Sequence, residues 1–337
     1  MKFRLFIWTI ITLITIHPTY ATEHDIITRQ NATQIAQLAV LDTLQIRAVA
    51  MSPSDNTLMV ATETDLWAYT IPDLTATRIF TLPDEMTTVQ RIGYSPDAQY
   101  ITLLDNRSRF YTVDIAQRAL VSTIDTYQDV LDFDYHPTQP FIALVTRSGD
   151  MGIFHALTGE QVQYGRTLSL LDLQIIRYSP TGNWIGMGTW DDLLILYEYM
   201  DETEWGADFA WLRALIFTNG FHGHAQDITA IAFSPDERYV FGGGFSRVTV
   251  WDMVNNGRVQ LLSFDDWITG IVYTHDGQAL IIADAMGMLW VLDSTTYDRL
   301  AQFPTNPNGI RTLFISPDGR YVVCAMYDNT AQVWGIP

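Results

Sequence analysis

One short turn recurs seven times along the chain, and no other feature constrains the fold as strongly. Its forms are "SPSDN" at 52, "SPDAQ" at 95, "HPTQP" at 136, "SPTGN" at 179, "SPDER" at 234, "THDGQ" at 274 and "SPDGR" at 316. A single such turn is ordinary local chemistry, because Ser, Pro, Asp and Gly each favour tight reversals. Seven of them, spaced by 43, 41, 43, 55, 40 and 42 residues, define a repeat.

The flanks repeat too. Six residues before each turn stand Ile46, Val89, Val130, Leu173, Ile228, Ile268 and Ile310; three before stand Val49, Ile92, Phe133, Ile176, Ile231, Ile271 and Leu313. One before stand Met51, Tyr94, Tyr135, Tyr178, Phe233, Tyr273 and Ile315. The last two sets have the strand period of two, and the extra residue ahead of them predicts a β-bulge. Further on come Tyr69, Val113, Phe154, Tyr197, Trp251, Leu292 and Trp334, four of them followed by an acid: Asp114, Glu198, Asp252 and Asp293. Each unit reads as three strands plus a variable fourth. No unit carries a helix-period stripe, so the array is all-β.

Residues 223–252, "GHAQDITAIAFSPDERYVFGGGFSRVTVWD", open on Gly-His224 and close on Trp251-Asp252. This segment resembles a WD repeat, and the chain from about residue 30 onward is similar to a degenerate, exported, bacterial-type member of the WD-repeat β-propeller family. The resemblance implies a seven-bladed β-propeller of four-stranded antiparallel blades. It gives His224, Trp251, Asp252, Asp328 and Trp334 structural roles within their blades. The fifth unit departs from the motif, with Phe245 where the turn Asp is expected.

The tail "RYVVCAMYDNTAQVWGIP" stops one strand short. "ATQIAQLAVLD", residues 32–42, is a spare strand ahead of the first turn. Propellers of this family commonly pair such a strand with the last blade, which would cover an otherwise exposed edge. Ile35, Leu38 and Val40 would supply its apolar contacts. The expected organisation is a signal peptide at 1–21, a short tether at 22–30 and the propeller at 31–337, with 31–42 as closing strand.

The leader has a basic start ("MKFR"), a 12-residue apolar run ("LFIWTIITLITI") and a polar close ending at Ala21. That is the layout of a secretory signal, and the run is short for a membrane span. An extracellular or periplasmic protein is expected, with cell-surface association and an uncleaved anchor as the variant. Thirty-eight acids against 19 bases give a net charge of −19, and the only lysine is Lys2. Such a surface repels phosphate backbones and anionic lipid, which excludes nucleic acid as the expected partner. The single cysteine, Cys324, excludes an internal disulfide and a multi-cysteine zinc site. Asn31 and Asn106 head Asn-x-Ser/Thr sequons.

Searching for chemistry returns little. No nucleophile elbow is present, and "GGGFS" at 242–246 lacks the Lys-Ser/Thr of a phosphate loop. His136 and His275 fall in or beside the repeated turn, where polar side chains face solvent in the family, and His155 takes the place of an acid. His222 and His224 have no third ligand nearby. The expectation is therefore a monomeric, non-enzymatic protein-binding platform with no cofactor and no metal, acting through loops at one mouth of the ring. The alternatives are a secreted hydrolase of the sugar-lactonase propeller type and a binder of a cation or small ligand in the channel.

Two irregularities nominate contacts. The long spacing of 55 holds "MDETEWGADFAWLR", residues 200–213, in which Trp205, Phe209 and Trp211 alternate with acids. Just before the opening apolar position stand Asp129, Asp172 and Asp227 in three successive units and Asp266-Trp267 in the next. An acidic arc of this kind would draw a partner with a basic segment.

Overall fold

In a computed structural model the described residues are 24–42, 45–126, 128–166, 172–191, 193–199, 215–218 and 227–337. The leader, the 200–213 insert and His224 lie outside them.

Each repeat lays down consecutive antiparallel strands. In the third unit these are Val130–Tyr135, Phe141–Thr146, Asp150–His155 and Gln161–Arg166, each paired with the next. The first strand of each unit except the sixth is an edge of its sheet, and the first strands of neighbouring units lie beside one another. These first strands therefore ring a central channel, and the sheets radiate from it as propeller blades. Apolar clusters fill the gaps between sheets. Ile175, Leu194 and Leu196 of the fourth unit, for example, pack against Ile228, Ile231, Phe233 and Trp251 of the fifth.

Among the described residues the sheets number six, not the expected seven: five have four strands and one has six. The fifth and sixth units share the six-stranded sheet because a single strand, Gly257–Tyr273, runs from one into the other. The cause is local. Residues 258–269, "RVQLLSFDDWIT", contain no Gly, Pro or Asn to break the strand, whereas "TLPDEMTT" and "FPTNPNG" interrupt the chain between other units. This junction also has the shortest spacing, 40 residues.

The bulge is present. Pairing slips by one residue between Val89 and Arg91, Val130 and Asp132, Leu173 and Ile175, Ile268 and Gly270, and Ile310 and Thr312. The extra residues are Gln90, Leu131, Gln174, Thr269 and Arg311. In the first and fifth units Arg47 and Thr229 hold the same place, donating their backbone N–H to Ala61 and Gly243.

Ala36–Leu41 pairs antiparallel with Ala331–Gly335, so the apolar edge of the tail is covered. The contacts differ from those expected. Ile35 and Leu41 are buried, Leu38 is half-buried, and Val40 is 39% exposed. The strand is shorter than 31–42, because Ala32–Gln34 form a 3-10 turn. Nor do residues 24–30 hang as a tether. Ile27 is fully buried among Ile35, Val322, Trp334 and Ile336, and its N–H bonds the Gly319 carbonyl at 2.9 Å. His24 Nδ1 lies 2.7 Å from the Ile336 carbonyl.

The recurrent turn works through a buried acceptor. The hydroxyls of Ser95, Ser179, Ser234, Thr274 and Ser316 each accept the N–H five residues on, at 2.8–3.0 Å. His136 stands in for the serine and is buried rather than solvent-facing; its Nδ1 accepts the N–H groups of Thr138 and Gln139. His155 likewise replaces a carboxylate, accepting from Leu157 and Thr158 as Asp252 does from Val254 and Asn255. Both histidines belong to the scaffold.

Candidate functional site: the mouth of the channel

The inner strands start at one mouth and run toward the recurrent turns at the other. The hairpin joining the second and third strands of each unit returns to the first mouth. A backbone hydrogen bond ties the two segments together. The N–H eleven residues after a turn's first residue donates to the carbonyl seven residues before it: Asn106 to Thr88, Arg147 to Asp129, Trp190 to Asp172, Ala285 to Trp267 and Tyr327 to Gly309, at 2.8–3.2 Å. Every unit so linked presents two residues on the rim. In the fifth unit the same closeness shows at Gly244, where an added Cβ would lie 2.4 Å from the Asp227 carbonyl oxygen.

Around the rim, the hairpin residues are Glu63, Asn106, Arg147, Trp190, Phe245, Ala285 (with Met286 next) and Tyr327. The first three are polar. Trp190 (47% exposed), Phe245 (39%), Met286 (61%) and Tyr327 (53%) are among the large hydrophobic side chains most exposed to solvent, and they sit in four consecutive units. Trp267 joins them, its ring 5.2 Å from that of Phe245. The Phe245 position that breaks the sequence motif thus carries one of the rim's aromatic groups.

The acids expected to form an arc are not equivalent. Asp129 is exposed but paired with Arg147, Nε to Oδ2 at 2.7 Å. Asp172 is exposed beside Trp190. Asp227 is buried, and its pKa is raised by that burial and by the charge of Asp191. Asp266 is half-buried and accepts the Trp267 N–H at 2.6 Å. The exposed acids of the apolar half are Asp172, Asp191 and Asp265. Trp205, Phe209 and Trp211 lie outside the described residues.

Of the residues given structural roles, His224 lies outside the described residues and the other four have these surroundings. Trp251 is 1% exposed in the core between the fourth and fifth units. Asp252 holds its turn and meets Arg238 at 3.3 Å. Burial works against the Asp328 carboxylate, but hydrogen bonds from Thr330, Asn308 and Asn306 hold its pKa below the usual range. Trp334 is buried, and its indole N–H donates to Gln332.

Below the rim, the edge of the fourth inner strand is capped by the third. Asp132 Oδ2 accepts the Ile176 N–H and Asp134 Oδ2 the Tyr178 N–H, at 3.2 and 2.8 Å. Arg177 bonds Asp132 at 2.7 Å, and Arg91 reaches it from the second unit at 3.1 Å. Desolvation pushes the Asp134 pKa up to about 6 against the pull of Arg177. Among the described residues, no group of three His, Cys, Asp or Glu side chains could hold a metal ion. None of their helices is long and apolar enough to cross a membrane.

Sequence reading misses the hydrophobic rim because hairpin tips are ordinarily polar and the units align on their turns and strands. Aligning the eleventh residue after each turn exposes it.

Two segments, 215–252 and 298–335, match the family described as "WD domain, G-beta repeat". The guanine nucleotide-binding protein subunit beta of Arabidopsis thaliana is 25% identical over 212 residues, covering 57% of this chain and 52% of that protein. Protein groucho of Drosophila melanogaster is 27% identical over 121 residues, 34% of this chain and 17% of that protein. The chain thus spans about half or less of the length of these relatives. A chain in the crystal structure of a mitotic checkpoint complex superimposes with a TM-score of 0.71 at 14% identity, covering 100% of this chain and 99% of that one, a likeness of fold. The chain carries WD repeats at the two matched segments and folds as a β-propeller.

Proposed function

We propose that this protein is a non-enzymatic binding platform that docks a protein segment on the mouth of its propeller, over the fourth to seventh units. One observation carries the reading: four consecutive hairpins place Trp190, Phe245, Met286 and Tyr327 in solvent on one rim. Large apolar side chains gathered in solvent on one rim mark a surface for a partner to cover, and aromatic anchors dominate protein interfaces. Asp172, Asp191 and Asp265 interleave with the rings, so a segment combining apolar and basic side chains fits best. Its cations would gain from the carboxylates at long range and from the ring faces at contact. Asp129 contributes less, because Arg147 already answers its charge. The tripartite leader supports a site of action outside the cytoplasm.

The test compares three forms of the full chain as bait: wild type, Trp190→Ala/Trp267→Ala, and Val254→Ser, which alters an apolar side chain 76% exposed away from the rim. The wild type and the Val254 variant should recover the same partner and the rim variant should lose it. Equal recovery by all three would overturn the assignment.

A further inference from the structure

From the seventh unit round to the second, three arginines from consecutive units lie at the bulge level. Arg311 is the bulged residue of the seventh unit, Arg47 holds the same place in the first, and Arg91 follows the bulge in the second. The inner strands that carry them are neighbours around the channel. A bulge re-aims the side chain it carries, and Arg311 lies close enough to Arg91 and Arg47 to feel their charges. Arg47 reaches Glu63 and Arg91 reaches Asp132. Arg311 has no such partner: its Nη2 is buried without an acceptor among the described residues, and so is Nε of Arg47. Burial lowers the Arg311 pKa, and Arg91 and Arg47 lower it further.

Counting the charges selects the ligand. Glu63 answers Arg47 and Asp132 answers both Arg91 and Arg177, whereas no ion pair among the described residues reaches Arg311. Leaving a buried guanidinium nitrogen unpaired is costly, and the planar fork of an arginine matches a carboxylate. A single carboxylate would satisfy both the charge and the idle N–H donors. A multiply charged phosphate would overcompensate.

We propose that Arg311, with Arg47 and Arg91, forms a carboxylate-binding site in the channel, open to an acidic side chain or a small free carboxylate. The site stands on different residues from the hydrophobic rim, so either assignment can fail alone.

The test follows thermal unfolding of the full chain in sodium acetate against sodium chloride at equal ionic strength. A ligand that binds only the folded state raises the melting temperature with concentration. Acetate should raise it by a few degrees in a saturable way, and chloride should not. Arg311→Gln should abolish the response, and Arg47→Gln, at a residue already paired with Glu63, should weaken it in a folded protein. A blocked tripeptide, acetyl-Gly-Glu-Gly-amide, set against its Gln counterpart, separates the sources. A response to the Glu peptide supports a protein side chain as ligand, and a response to acetate alone supports a free carboxylate. Identical melting in acetate and chloride would overturn the proposal, as would an Arg311→Gln variant that responds like wild type.

Discussion

Truncating Ile27 to Ala tests whether the segment before the closing strand is part of the core. The side chain is fully buried in the cluster shared by the sixth and seventh units and the N-terminal segment. Removing its three outer carbons forfeits about 2.4 kcal/mol of transfer free energy at ~0.8 kcal/mol per methylene, and a residual cavity adds to this. The loss has a ceiling. If it exceeds the docking free energy of residues 24–31, that segment detaches and the remaining ring keeps its own packing. A net cost of about 2–3 kcal/mol is therefore expected, which for a chain of this size lowers the melting temperature by roughly 3–4 °C. Calorimetry or circular dichroism would read the shift, and proteolysis near residue 30 would report detachment. Val40→Ala, in the same segment but 39% exposed, should change stability by no more than about 0.5 kcal/mol. If Ile27→Ala melts with the wild type and resists protease equally, the segment is a tether after all and the packing argument is wrong.

Other outcomes follow from the same structure. Asp134 has a folded pKa of about 6, above its unfolded value, so the folded state holds the proton more tightly. Its contribution is fully present below the unfolded pKa and is lost as pH rises through about 6; Asp134→Asn, followed by denaturant unfolding between pH 4 and 7, should flatten that decline. Gly244→Ala would place a Cβ 2.4 Å from the Asp227 carbonyl oxygen and should cost about 1–3 kcal/mol, whereas Gly257→Ala meets nothing closer than 3.9 Å and should be nearly silent by the same melting assay. N-terminal sequencing of the protein from its native host should return a start near Thr22, and a cytosolic protein beginning at Met1 would contradict the leader.

The sequence discloses the architecture unevenly. Turn spacing and the apolar positions around it specify the strands, the inner bulge and the pairing of the N-terminal strand with the tail, because each depends on local turn chemistry and on a period of two. The number of sheets is not legible in the same way. Seven repeats suggest seven blades, but the unbroken run "RVQLLSFDDWIT" lets one strand serve two units. Ile27 reads as part of a tether, since one apolar residue in a short polar stretch gives no periodic signal. His136 and His155 show their places in the repeat but not their roles as hydrogen-bond acceptors, which need the backbone of the turn around them. Acids of the arc are found by position, yet position cannot tell exposed Asp172 from buried Asp227 or from Asp129, neutralised by Arg147. The apolar rim and the arginines of the channel depend on residues from different units meeting across the ring.

The central claim is that the mouth takes a segment of mixed apolar and basic character. Selection of a random displayed peptide library against the full chain tests it most directly, because it needs no named partner. Enriched peptides should combine Arg or Lys with aromatic or aliphatic residues. They should lose most of their affinity for a Trp190→Ala/Tyr327→Ala variant and weaken as salt screens Asp172, Asp191 and Asp265. Peptides that are predominantly acidic, or that bind the rim variant as tightly as the wild type, would contradict the account.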